Sequence, residues 1–490
     1  MLNGDFTAVP KTLAGGFVGN RIDPKLFSPG ALALVKNVTL GQDPATGIVY
    51  YSSPVTRVPL DEGTARIDWQ VNQAQRLSVR SFIGRFSRPQ GSIPGNIVTA
   101  VLGDDGRYWN EALNHTWILS PRMVNSFSAA WIRMDFVSGA QQLDANGNPI
   151  CLSQFVKISD PISPPLTIST SFSRNFRLTI TQSWNFSVEQ QFTRDIAIHL
   201  AYVGNESYHL LTPVERNPGI YCAVANIFCP VSGARSTFPQ FGSITEYNTA
   251  GTANYQSLQA GIEKRLRYGL QLQSNFTWSK TFDVTTLGTN VLSSVPNPFD
   301  IRFNHGLSDM NVPYTLVTHF VYTTPSLSRH GFLIRQVLGQ WQGSGIWQTA
   351  SGKPFSISGG NGNNRSASQV GRDRADVTGL PNKVHEGSRD NWLQHYYSTA
   401  AFRTNALGTF GNSQRNLFNA PWINSWDLGI AKSWHVYESY VLQFRWEAFN
   451  AFNHPTFAGP NTDPTSARGG QITSNSSTPR VMQGALKLTF

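Results

Sequence analysis

Cysteine is almost missing from this chain: three residues, Cys151, Cys222 and Cys229, occur among 490. Three are too few for a disulfide scaffold and too sparse for a zinc cluster. Charged residues are scarce too, at 14%, against about a quarter in ordinary soluble domains. No stretch of 18 apolar residues runs uninterrupted by polar ones, which excludes a helical membrane span. The signatures of common catalysis are also lacking. There is no G-x-S-x-G elbow, P-loop, H-E-x-x-H or C-x-x-C pair, and each of those chemistries needs its residues at that spacing. The ten histidines do not pair at metal-binding spacing, and no pair of carboxylates stands out for glycoside hydrolysis. Asp144, Asn146 and Asn148 imitate the opening of a calcium loop. Its sixth position is Pro149 rather than Gly and its twelfth Phe155 rather than Glu, so Asp-Ala-Asn-Gly-Asn is read as a turn. No enzyme activity, cofactor or metal is expected.

What the chain does have is aromatic side chains, 12% of its residues, and a net charge of +10. The basic residues are scattered, and no helix or arm gathers them into a stripe that would track phosphates, so no nucleic-acid partner is expected. Many aromatics and few charges mean surface that water need not cover, yet the mean hydropathy is only −0.25. Strands that put every second residue into lipid and the others into a polar lumen resolve the conflict.

Period-two segments bear this out. In Gly269 to Lys280, Leu270, Leu272, Phe276 and Trp278 share one face, and Gln271, Gln273, Asn275 and Thr277 the other. Trp184, Phe186, Val188 and Phe192 alternate against Asn185, Ser187 and Glu189. Tyr440, Leu442, Phe444 and Trp446 alternate against Gln443, Arg445 and Glu447. The last ten residues, Val481 to Phe490, follow the same rule and end on an aromatic. About thirteen such strands are expected, beginning near residues 62, 75, 108, 122, 180, 194, 252, 269, 313, 337, 424, 439 and 479. The connections between them alternate short and long. That is the mark of an outer-membrane barrel, whose inner turns are tight and whose outer loops are long.

The fold expected is therefore all-β: an antiparallel transmembrane β-barrel of the outer-membrane type with long extracellular loops. Its odd strand number conflicts with the even number of a closed bacterial barrel, so the barrel is expected to be incomplete, with about 13 strands of a 22-stranded plugged parent. Residues 1–61 are expected to form an extracellular loop and connecting segment, and 62–490 the C-terminal part of the barrel. Nothing at Met1 resembles a signal peptide, so the chain is read as a C-terminal fragment or a mis-started frame. A secreted β-rich binding protein or adhesin, and a non-functional remnant of a transporter gene, stand as alternatives.

A family resemblance rests on several stretches: 173–192 (SRNFRLTITQSWNFSVEQQF), 254–266 (NYQSLQAGIEKRL), 276–283 (FTWSKTFD), 339–357, GNSQRN at 411–416, FRWEAFNAFNHPTF at 444–457 and the terminal QGALKLTF. Together they resemble the C-terminal barrel of the Oar-like TonB-dependent transporters. The resemblance implies an outer-membrane receptor that takes up an unidentified solute through its outer loops. It also implies a TonB motor acting through a plug that these residues do not include, and assembly by the barrel assembly machinery into outer-membrane lipid.

Selectivity is then expected in the loop 358–423, with Gly359, Gly360, Gly362, Arg365, Arg372 and Arg374, and in lumen-facing Glu189, Arg445 and Glu447. For any one of these the plain alternative is an ordinary flexible loop or a pair of balancing charges. Leu486, Leu488 and Phe490 are the candidate C-terminal assembly signal. Cys222 and Cys229, seven apart in a Pro/Gly-bounded stretch, are a candidate loop disulfide.

Overall fold

A computed structural model describes residues 5, 18–27, 41–42, 49–50, 58–88, 103–139, 142–143, 149–150, 166–172, 177–224, 231–235, 237–239, 241–285, 295–360, 364–371, 373–384, 387–437 and 439–490. Most of the segment 1–61, the calcium-like turn at Asp144, and Cys151, Cys229, Gly362 and Arg372 lie outside them.

Thirteen strands form one continuous hydrogen-bonded path within a 15-stranded sheet, each strand next to its neighbours in sequence. They are β1 (Leu60–Asn72), β2 (Gln75–Arg88), β3 (Gly103–Ser120), β4 (Met123–Gly139), β5 (Thr179–Gln191), β6 (Ile196–Glu215) and β7 (Phe241–Arg267), followed by β8 (Leu270–Asp283), β9 (Tyr314–Thr323), β10 (Gln342–Ala350), β11 (Ile423–Tyr437), β12 (Tyr440–Phe449) and β13 (Val481–Thr489). Among the described residues no pairing joins β1 to β13, so the sheet is open, as an incomplete barrel requires.

The registers sort the side chains onto two faces. On one face Leu270 opposes Tyr322, Leu272 opposes Phe320 and Phe276 opposes Leu316. The same face continues with Trp347 opposite Trp426, Ile430 opposite Trp446 and Phe444 opposite Leu486. On the other face Gln273 opposes His319, Ser344 opposes Gly429, and Gln443 opposes Lys487. Because strand side chains alternate, this division follows from the sequence once the register is set. Leu258, Phe276, Ile430 and Leu488 are exposed on the apolar face, which needs a solvent other than water.

Aromatics mark both edges of that face, as expected of girdles at a membrane interface. At one edge Tyr314 stacks on Trp422 with ring centroids 6.0 Å apart and on Phe276 at 6.4 Å. At the other lie Tyr322, Trp341, Trp434 and Tyr440, with Phe490 6.3 Å from Tyr440.

Tight turns gather at one end of the strands. Tyr268 and Gly269, both at positive φ (56° and 80°), reverse the chain from β7 to β8. The carbonyl of Thr323 lies against the α-hydrogen side of Gly269, where a Cβ would collide. This is the inner end, and the long connections lie at the other.

Two expectations fail in detail. The strand expected to begin near 337 begins instead at Gln342, as β10, because Phe332–Leu338 is a short helix, α1. Phe332–Leu338 contains no Gly or Pro, and its apolar residues recur at helical rather than alternating spacing. The connection expected at 208–251 is shorter: β6 runs on to Glu215, and β7 begins at Phe241 rather than near 252. Register shifts between Tyr208 and Thr212 take up the bend where these strands extend outward.

The chain divides into two compact units. In the first (1–64, 82–109 and 134–166), Tyr108 donates to Glu62 at 2.6 Å and Arg85 meets Asp105 at 3.5 Å. The second (65–81, 110–133 and 167–490) holds the described parts of β5 to β13 and a hydrophobic cluster of Ile357, Ala375, Tyr397, Ala401, Phe402 and Phe418. That cluster lies not in the wall but in the connection between β10 and β11.

Substituting Leu428→Lys on the apolar face is expected to cost about 2–4 kcal/mol if the site lies near the bilayer midplane. Thr277→Lys on the opposite face is expected to cost far less. Urea titration of folding into lipid vesicles distinguishes the two.

Candidate functional site: the outer loop layer and the polar wall face

The connection between β10 and β11 folds because its aromatic residues have each other to bury against. Tyr397 packs on Phe402 at 5.9 Å and on Phe418 at 5.9 Å. Phe355 lies 6.0 Å from Phe418. The connection between β12 and β13 joins this core: Ser358 N–H donates to Thr462 O at 3.0 Å, Tyr397 Oη–H to Asn461 O at 3.0 Å, and Ile472 N–H to Leu393 O at 2.8 Å. The connection between β6 and β7 joins from another side, where Gly219 N–H donates to Ser368 O at 2.9 Å and Gln369 Nε2 to Gly233 O at 3.1 Å. On either side of 361–363, Gly359 and Gly360 are buried and Arg365 donates to Asn405 O at 2.6 Å.

The GNSQRN stretch fastens this layer. Gly411 adopts φ +78° with the backbone of Arg374 pressed against it, so an L side chain has neither the conformation nor the space. Asn412 Oδ1 accepts from Val377 N–H at 2.6 Å, and Ser413 N–H donates to Ala375 O at 3.0 Å. Arg415 is buried against Asp283 at the outer end of β8, and its other guanidinium nitrogen meets Asp309 at 3.2 Å. Asn416 donates to Leu307 O and to Asp309, both at 2.6 Å. Burying a guanidinium is tolerable because carboxylates and carbonyls take its donors.

Arg374 is treated differently. Its guanidinium lies 4.0 Å from the Phe303 ring centre and donates to Phe303 O at 2.8 Å. Burial, and then the nearby charge of Arg415, push it down to about 10. Burial likewise raises the hydroxyls of Tyr396 and Tyr397 well above the usual tyrosine value.

On the polar wall face Glu189 of β5 sits opposite His199 of β6, and both line a shallow depression of about 310 Å³ with Gly261, Glu263, Gln273 and Asn275. Gly261 leaves the space. His319 bonds Gln273 at 2.9 Å. Arg445 and Glu447 form an exposed ion pair at 3.4 Å, and Gln483 donates to Glu447 at 2.6 Å. Glu189 is far along the wall from Arg445 and Glu447, with six strands between them in the path. Leu486, Leu488 and Phe490 are exposed on or beyond β13, on the apolar face. Cys222 is disulfide-bonded, and Cys229 lies outside the described residues. Among the described residues no group of three His, Cys, Asp or Glu is placed to hold a metal. The Asp283–Arg415 clasp was not foreseen. Its partners stand 132 residues apart, and only the GNSQRN stretch signals it.

Arg415→Ala leaves Asp283 buried without its partner, a loss expected at about 3–5 kcal/mol. Hydrogen exchange should accelerate across residues 411–418, with protection in β8 and β9 unchanged. The tyrosines give a pH test. Above about pH 10 an unfolded tyrosine loses its proton, whereas Tyr396 and Tyr397 keep theirs, so the folded layer binds more protons and its stability falls as pH rises. Absorbance at the tyrosinate band should show these two ionising last, and the late step should vanish in the Tyr396→Phe, Tyr397→Phe double variant.

The outer membrane beta barrel domain model matches residues 1–157 and 138–483. No curated protein sequence matches the chain. Among solved structures the chain is similar to the outer membrane transporter YddB from Escherichia coli, at 9% identity and a TM-score of 0.37 over 84% of this chain and 55% of that one. It is also similar to the FrpB iron transporter from Neisseria meningitidis (F3-3 variant), at 10% identity and 0.37 over 89% and 55%. The third is FpvA of P. aeruginosa bound to heterologous pyoverdines, at 9% identity and 0.39 over 89% and 48%. The chain thus spans about half the length of each of them. The wall, with its one apolar and one polar face, and the family match agree: this chain belongs to the outer membrane beta barrel family and lies in the outer membrane.

Proposed function

We propose that this chain forms wall and outer loops of an Oar-like TonB-dependent transporter that captures a solute at its outer face and admits it along the polar face of the wall. The observation that carries the reading is one-sidedness. Apart from the connection between β9 and β10, tight turns occupy one end of the strands, while at the other end four long connections, β6–β7, β8–β9, β10–β11 and β12–β13, join in an ordered layer with its own core. A wall that only sealed the membrane would have no use for such a layer, whereas a receptor needs a rigid surface to select a ligand.

Glu189, Arg445 and Glu447 then serve as polar lining of the path, and Arg365 and Arg374 brace the selecting layer. Leu486, Leu488 and Phe490 are the residues offered to the barrel assembly machinery. The TonB system would act through a plug, which the resemblance places ahead of the barrel. Transport of this kind needs no catalytic residue.

Medium from cells carrying the intact gene and from cells lacking it is compared by mass spectrometry. The expected result is at least one solute depleted only where the gene is present and the inner membrane is energised; depletion should stop when a protonophore is added. Identical media would overturn the reading. Arg445→Ala is expected to change the depletion rate while surface expression stays constant.

A further inference from the structure

The inner connection between β9 and β10 carries α1 (Phe332–Leu338), whose apolar side chains stand exposed at the protein surface. Phe332, Leu333, Ile334, Val337 and Leu338 are all among the exposed large hydrophobics, Leu333 at 74%. At 100° per residue Leu333, Ile334, Val337 and Leu338 share one side of the helix, with Arg335 and Gln336 on the other. A seven-residue helix does not hold together alone in water, so something must fix it.

Side chains of the apolar wall face do so. Trp434 of β11 donates its indole N–H to Gln336 O at 3.1 Å, Trp341 donates to Val337 O at 2.6 Å, and Lys432 donates to Gly339 O. These bonds satisfy carbonyls that a helix C-terminus leaves without partners. Trp341 packs edge-on against Trp434 and Phe444 at 6.4 and 6.2 Å. Lys432, Trp434 and Phe444 share the face that carries Leu442 and Leu486. The helix is therefore tied to the lipid side of the wall, at the level of the inner aromatic girdle. The segment from Thr324 to Trp341 contains Arg329, His330 and Arg335 and no Asp or Glu.

We propose that α1 is an interfacial anchor, lying in the inner leaflet with Leu333, Ile334, Val337 and Leu338 among the upper acyl chains and Arg329 and Arg335 against anionic phospholipid headgroups. Two observations identify the occupant: the helix continues a surface that already faces lipid, and its charge is of one sign, opposite to that of anionic headgroups. The role is independent of which solute the protein carries.

The test uses the full protein in nanodiscs of zwitterionic lipid with and without phosphatidylglycerol. A fluorescent label is placed at Leu333→Cys, and at Ser328→Cys as the aqueous control. The Leu333 label should emit to the blue of the Ser328 label. It should be several-fold less quenched by iodide, and be quenched by lipids brominated high on the acyl chain. Arg329→Gln with Arg335→Gln should raise its iodide quenching in phosphatidylglycerol discs and leave it unchanged in zwitterionic ones. A Leu333 label as open to iodide as the control overturns the proposal. So does one shielded only in native membranes, which would assign the helix to a protein partner. Retained heat-modifiable migration of each labelled variant keeps failure to fold from being mistaken for either outcome.

Discussion

A bilayer offers no water to unpaired backbone groups, and each N–H or C=O left alone there costs several kcal/mol. A spanning strand must therefore give its hydrogen bonds to neighbouring strands, and along the path from β1 to β13 each strand pairs with the next in sequence. Pairing fixes register, and register assigns faces. A one-residue slip of β12 would carry Arg445 and Glu447 into lipid and Phe444 and Trp446 into the lumen. The irregular pairing of β6 with β7 lies between Tyr208 and Thr212, toward the outer ends of these strands, where water can satisfy what a bulge leaves open.

Outside the bilayer the constraint changes. The chain between β10 and β11 has no wall to pair with, and ordering it costs conformational entropy at every residue. Two devices offset that cost. The aromatic cluster around Tyr397 and Phe418 buries apolar surface locally, and Arg415 ties the segment to Asp283 and Asp309. The tie lies close to the core, since Ala375, which accepts from Ser413, belongs to the cluster. Loss of either should loosen the other.

How much of this was legible depended on whether the signal was local. Gly269 to Lys280 and Tyr440 to Glu447 alternate so regularly that their strands and faces follow from the residues alone. The outer extension of β7 was not legible, because Ser243 to Gly251 has no apolar alternation. It is a strand because Thr245 to Asn248 pair with Thr212 to Glu215. The helix α1 was hidden because it is only seven residues long, and so short an apolar run carries a weak helical signal. The loop core was hidden for another reason. Phe355, Tyr397, Phe402 and Phe418 are scattered along a Gly-rich segment, and only the fold brings them together.

The two ends of the wall solve one problem in the same way. Helix ends and loop turns leave carbonyl oxygens without donors, and a buried cation lacks acceptors; joining the two removes both penalties. At the inner end Lys432 meets Gly339 O. At the outer end Arg415 meets Asp283 O and Asn304 O, and Arg374 meets Phe303 O. Aromatic rings lie beside two of these cations, Trp341 and Trp434 near Lys432 and Phe303 near Arg374, adding attraction without further desolvating an anion. Arg374 is set apart because it is buried and, secondarily, because the charge of Arg415 lies nearby, which is why its proton is held less tightly than an arginine's normally is. In a chain with so few charges, the buried cations act as fasteners between segments far apart in sequence, and they stand where a connection must be held against the wall.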